Sequence, residues 1–156
     1  MSTGLVERLE AAEVGSRELD FWIAYELGQL SDVVTKRPAY VREGDGEVAL
    51  FDSAGRGLGW VGYHVSRPVT ASVDAALALA SKSLPGWEVS LAQRVPRYDE
   101  TCAEWWHASL FRMRSGVSFG GDGTVSVKGP TAPLALCAAT LRALRALHPD
   151  GIGAET

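Results

Sequence analysis

The stretch SVDAALALASKSLPGWEVSLA, residues 72–92, contains a change of period that decides the fold class. Up to Leu84 the apolar side chains recur at helical spacing: Val73, Ala76, Leu77, Ala80 and Leu84 share one face, with Thr70 or Ser72 placed to cap the helix. Pro85-Gly86 stops it. Trp87, Val89 and Leu91 then alternate with Glu88, Ser90 and Ala92, the pattern of a strand with one buried face. A helix that gives way to a half-buried strand across two turn residues predicts helices laid on a sheet.

Toward the N-terminus, residues 37–67 read as three short strands, Pro38–Glu43, Glu47–Asp52 and Leu58–Val65. They are parted by Gly44-Asp45-Gly46 and by the turn-rich run 53–57. Before them lies a helical hairpin. Leu5, Val6, Leu9 and Ala12 mark a first helix that Gly15 ends, and Ser16 caps a second with the stripe Leu19, Trp22, Ile23, Leu27 and Leu30. Glu18 and Asp20 fall in that helix's first turn, where carboxylates complement the helix dipole.

Toward the C-terminus, Ala103–Arg114 reads as a long strand that Val117–Phe119 can extend. Gly120-Gly121-Asp122-Gly123 reads as a hairpin turn and Thr124–Lys128 as the returning strand. Thr131 caps a last helix with Pro133 in its first turn, and Leu134, Cys137, Leu141 and Leu144 line its inner face. Arg142, Arg145 and His148 sit near its C-terminal end, where positive charge is favoured. The expected order is αα-βββ-α-βββ-α: an α+β helix–sheet sandwich with a mainly antiparallel sheet. One domain is expected over 1–149, with the hairpin at 4–30, sheet and helices over 37–148, and a frayed tail at 150–156.

Composition narrows the classes of function. A chain of 156 residues is one domain's worth and needs no disulfide or metal to fold. A formal net charge of −4 lacks the basic excess of a phosphate-neutralising protein, so nucleic acid is not the expected partner. No run approaches a membrane helix, and the opening Met1–Arg8 has no apolar core of signal-peptide length. With Asn absent and Cys102 and Cys137 far apart, a cytoplasmic setting with both thiols reduced is the simplest expectation.

Three segments carry a resemblance. They are Ser16-Arg17-Glu18-Leu19-Asp20 opening a helix, Ser72-Val73-Asp74-Ala75-Ala76-Leu77 running into Pro85-Gly86-Trp87, and Ala132–Ala139 in the final helix. In that order they resemble the phage ABA sandwich domain family, small bacteriophage and prophage proteins of unassigned function, over residues 16–30 and 69–147. The resemblance implies a helix–sheet sandwich and a phage or prophage origin, and carries no functional residue with it.

Several motifs fail on context. Gly57-Leu58-Gly59-Trp60-Val61-Gly62 has dinucleotide-binding glycines, but extended chain follows where a helix should begin, and Lys82 stands where a ribose-binding acid belongs. Cys102, His107, Cys137 and His64 lack compact zinc-ligand spacing. A nucleophile built from either cysteine with His107, oriented by Glu104 or Asp99, has no motif behind it. Adjacent Asp99 and Glu100 point apart on extended chain. No P-loop, nucleophile elbow or zinc-protease helix occurs, and no cofactor or metal is expected.

The stretch Glu104–Arg114 is the richest. Trp105, His107, Ser109, Phe111 and Met113 fall on one face; Glu104, Trp106, Ala108, Leu110, Arg112 and Arg114 fall on the other. Neither is cleanly polar, as expected of a central strand in a covered sheet. Trp and Arg are also the side chains most enriched at binding hot spots. The candidate binding residues are Trp105, His107, Arg112 and Arg114, joined by Trp60, Tyr63 and His64 if strand 58–65 lies beside strand 103–114. A non-enzymatic phage accessory protein binding a host protein, one that disables antiviral defence, is the leading expectation. An oligomer sequestering a nucleotide-like ligand in a Trp/Arg pocket and a virion assembly protein are the alternatives.

Overall fold

The computed structural model describes residues 3–27, 40–43, 47–51, 56–62, 66–95, 104–112 and 124–149. The elements run α1 (Thr3–Ala11), α2 (Arg17–Glu26), β1 (Tyr40–Glu43), β2 (Glu47–Phe51), β3 (Gly57–Gly62), α3 (Val73–Ser83), β4 (Trp87–Arg94), β5 (Trp105–Arg112), β6 (Thr124–Gly129) and α4 (Ala132–Leu147). The expected α+β order is therefore present, and every strand pairing is antiparallel. The described strands form two separate sheets, β1-β2-β3 and β4-β5-β6. The Gly120–Gly123 turn and the extension over Val117–Phe119 lie outside the described residues.

Capping residues fix where three helices start. The hydroxyls of Ser16, Ser72 and Thr131 accept hydrogen bonds from the amides of Leu19, Ala75 and Leu134, satisfying donors that the first turn leaves unpaired. Of the two caps offered for α3, Ser72 serves. Thr70, two residues earlier, is instead buried and takes part in a polar clamp.

That clamp centres on Asp20, whose carboxylate is fully buried. It accepts from the Thr70 amide at 2.7 Å, the Thr70 hydroxyl at 2.7 Å and the Arg17 guanidinium at 3.1 Å. Arg17 also donates to the Ser66 carbonyl. A buried carboxylate holding loop donors ties residues 66–70 to the start of α2, which is more than the helix-dipole role the sequence suggests. Gly15 completes the joint. It follows the end of α1 rather than ending it, and a methyl group there would collide with the Thr70 carbonyl.

Helix α4 is at the centre of the core that α1, α3 and the β4-β5-β6 sheet build. All residues from Ala132 to Leu141 are buried, so the expected single inner face extends right round its first turns. The cause is its place in the stack. It packs on β5 and β6 on one side and on α1 and α3 on the other, and its alanines let those neighbours approach. At the sheet, a Cβ on Gly129 would stand 3.0 Å from the Ala135 amide nitrogen, closer than ordinary contact allows. Its exposed Arg142 pairs with Glu10 of α1, and Arg145 donates twice to Glu26 of α2. In α3 the buried residues are Ala76, Leu79 and Ala80, and Leu84 is buried at its C-cap. Val73, expected inside, is 38% exposed because the first residue of α3 overhangs the core. Among the described residues no helix is long and apolar enough to cross a membrane.

Candidate recognition surface

Strand β5 is the middle of its sheet, bonded to β4 on one edge and β6 on the other. Residues 57–62 pair with β2 and residues 105–112 with β4 and β6, so among the described residues the side-by-side arrangement expected of 58–65 and 103–114 does not occur as strand pairing. Trp60 is on β3, opposite Ala49, in the other sheet. Tyr63, His64 and Arg114 lie outside the described residues, as does Cys102.

Alternation divides β5 between two environments. Ala108 and Leu110 are fully buried and, with Trp106 and with Val127 of β6, face the helices. Trp105, His107, Ser109 and Phe111 point the other way and are half-buried. Their cross-strand neighbours on that side, Glu88, Ser90, Ala92 and Arg94 of β4 and Thr124, Ser126 and Lys128 of β6, are all exposed. Among the described residues the sheet is thus covered on one face and open on the other. Arg112 has the inner-face parity, is opposite Trp87 and is exposed at the far end of β5. It stands seven residues from Trp105, about 23 Å at the rise of a strand, so these two candidates do not share a site.

Two cations that the sequence reading did not single out take that place. Register sets Arg94 opposite Trp105 and Lys128 opposite His107. The Lys128 ammonium is 4.6 Å from the Trp105 ring centroid and the Arg94 guanidinium 5.8 Å from it, both within cation–π range. His107 meets the Trp105 ring edge to face at 6.2 Å. Below them, Ser90, Ser109 and Ser126 form a row across the three strands, and the Ser109 and Ser126 hydroxyls are 3.0 Å apart. The open face therefore combines an indole flanked by two positive charges, an imidazole and a line of hydroxyls. Such groups recognise anionic and planar chemistry. The alternate positions of residues 87–94 and 124–128, counted in hairpin register from Trp105, were the signal that could have found Arg94 and Lys128.

Other candidates read differently in three dimensions. The Cys137 thiol is buried, and its Sγ–H donates to the Val69 carbonyl at 3.4 Å. Burial, reinforced by the nearby Asp20 carboxylate, pushes its pKa far above the ordinary thiol range. It packs as a small hydrophobe and is not poised as a nucleophile. Between α2 and α3 a cleft of about 280 Å³ has Ile23, Val69 and Leu79 in its walls and Arg67 and Lys82 at its mouth. Its carboxylate, Asp20, is already occupied by Thr70 and Arg17. Among the described residues no three of His, Cys, Asp and Glu gather in metal-binding geometry. Comparison with protein-family models, with curated proteins and with solved structures finds no match to the chain.

Proposed function

We propose that the protein is a non-enzymatic binding protein whose recognition surface is the open face of the β4-β5-β6 sheet. The partner is a protein that presents anionic groups to that face. One observation carries the reading: Trp105, on the central strand of the open face, lies between Lys128 and Arg94. A solvent-facing sheet needs no indole there for stability, since Thr or Lys would serve at less cost in exposed apolar surface. An aromatic ring with flanking cations supplies what hot spots are made of, contact area and charge that complements an acidic partner. The resemblance to the phage ABA sandwich family makes a host factor, such as a component of antiviral defence, the expected source of that partner.

A second reading, sequestration of a nucleotide-like ligand, draws support from the same trio, because an indole stacks on a base while cations hold phosphate. One experiment separates them. Tagged wild-type protein and Trp105→Ala and Lys128→Glu variants are used as bait in infected-host lysate, and both co-purifying proteins and heat-released small molecules are identified. The proposal expects a stoichiometric protein that the wild type retains and both variants lose. A nucleotide-like mass without a protein supports the second reading. Equal capture by wild type and variants overturns both.

A further inference from the structure

Strand β4 is at one edge of its sheet, with β5 as its one neighbour among the described strands. The segment Trp87–Val95 is complementary to itself. In an antiparallel pairing with a second copy centred on Leu91, Glu88 falls opposite Arg94 and Arg94 opposite Glu88, so two opposite-charge pairs form on the open face. On the inner face Leu91 meets Leu91 of the second copy and Val89 meets Gln93, while Val95, just past the end of β4, falls opposite Trp87. Val95 is 59% exposed, one of the few large apolar side chains left open among the described residues, and Trp87 is half-buried beside the core. The pairing would cover both. Arg94 stays within cation–π range of Trp105 while its N–H groups reach the carboxylate, since a guanidinium has five donors.

The other edge offers nothing comparable. Pairing β6 with itself about Ser126 sets Lys128 opposite Thr124, and a lysine on an edge strand discourages strand addition.

We infer that the protein forms a two-fold dimer through β4, joining two three-stranded sheets into one six-stranded antiparallel sheet. Six strands is an ordinary sheet size and three is small. The dimer sets the two open faces side by side, with Glu88 of one copy bordering the Arg94–Trp105 group of the other. It does not depend on what that face binds.

Sedimentation velocity across a dilution series tests it on the full chain. Wild type is expected at twice the 16.6 kDa of one chain. Glu88→Arg and Arg94→Glu each place like charges directly opposite at two positions and should weaken the dimer roughly tenfold or more. The double reversal Glu88→Arg with Arg94→Glu should restore it. Both residues are exposed, so the variants are expected to fold. Register has its own check. With Cys102→Ser as background, chains carrying Ser90→Cys mixed with chains carrying Ala92→Cys should form a disulfide under mild oxidation, because directly opposed residues lie within disulfide reach. Neither chain alone should do so. A monomeric wild type, a dimer indifferent to both single reversals, or equal cross-linking in the unmixed chains overturns the proposal.

Discussion

The two faces of the β4-β5-β6 sheet are made from alternate residues of the same strands, and they obey different constraints. Toward α4, Ala108, Leu110 and Val127 are buried, and Gly129 lets the helix come close enough that a methyl group would not fit. Away from α4, Trp105 and His107 share the surface with Arg94, Lys128 and three serines. Packing accounts for the first set fully: each side chain fills space against a helix, and a change of volume has a direct cost. It does not account for the second, since the groups there contribute little burial yet combine aromatic, cationic and hydroxyl chemistry in one register. The difference teaches that on a one-sided sheet the core-facing positions report fold and the others are free to report function.

Substitutions on the inner face should therefore be the most damaging. Leu110→Ala removes a fully buried side chain against α4 and is expected to cost about 2–5 kcal/mol in urea unfolding. Its neighbour Ser109→Ala loses only the hydroxyl contact with Ser126, about 0.5–1 kcal/mol. Equal losses would erase the distinction between the faces. Gly129→Ala should come next, at about 1–3 kcal/mol, because α4 must shift from β6 to admit the methyl group.

Titration probes the same core from inside α4. Burial, helped by Asp20, holds the Cys137 thiol protonated in the folded state, whereas the unfolded thiol ionises near pH 8.5. The folded protein then binds more protons than the unfolded one above that pH. Stability is complete below about pH 8.5 and should fall by about 1.4 kcal/mol per pH unit above it. The gap between wild type and Cys137→Ala, followed by urea unfolding from pH 7 to 10, isolates that slope. A gap that does not change with pH would mean that the thiol titrates alike in both states.

How much of this the sequence discloses depends on how local each cause is. Period changes, Pro85-Gly86 and the cap residues Ser16, Ser72 and Thr131 act within a few residues, and they place all four helices and both strand groups. The burial of α4 on every side was visible as a run without charge from Ala132 to Leu141, but one inner face was expected because the second layer of neighbours is not written locally. Asp20 looked like a first-turn carboxylate because its partner, Thr70, is fifty residues away. The proposed recognition surface is half legible. Trp105 and His107 stand out by type, while Arg94 and Lys128 join them only through register with β4 and β6. Arg112 joins them by residue type alone: its parity and its seven-residue distance along the strand already set it apart from Trp105.

A small expected change in stability is also the most telling. Trp105→Ala combined with Lys128→Glu alters only the open face, so its unfolding free energy should stay within about 1 kcal/mol of wild type. The same protein, used as bait beside wild type, should lose the anionic partner that wild type retains. A variant that still captures the partner, or a wild type that captures none, would contradict the claim that this face is where the protein does its work.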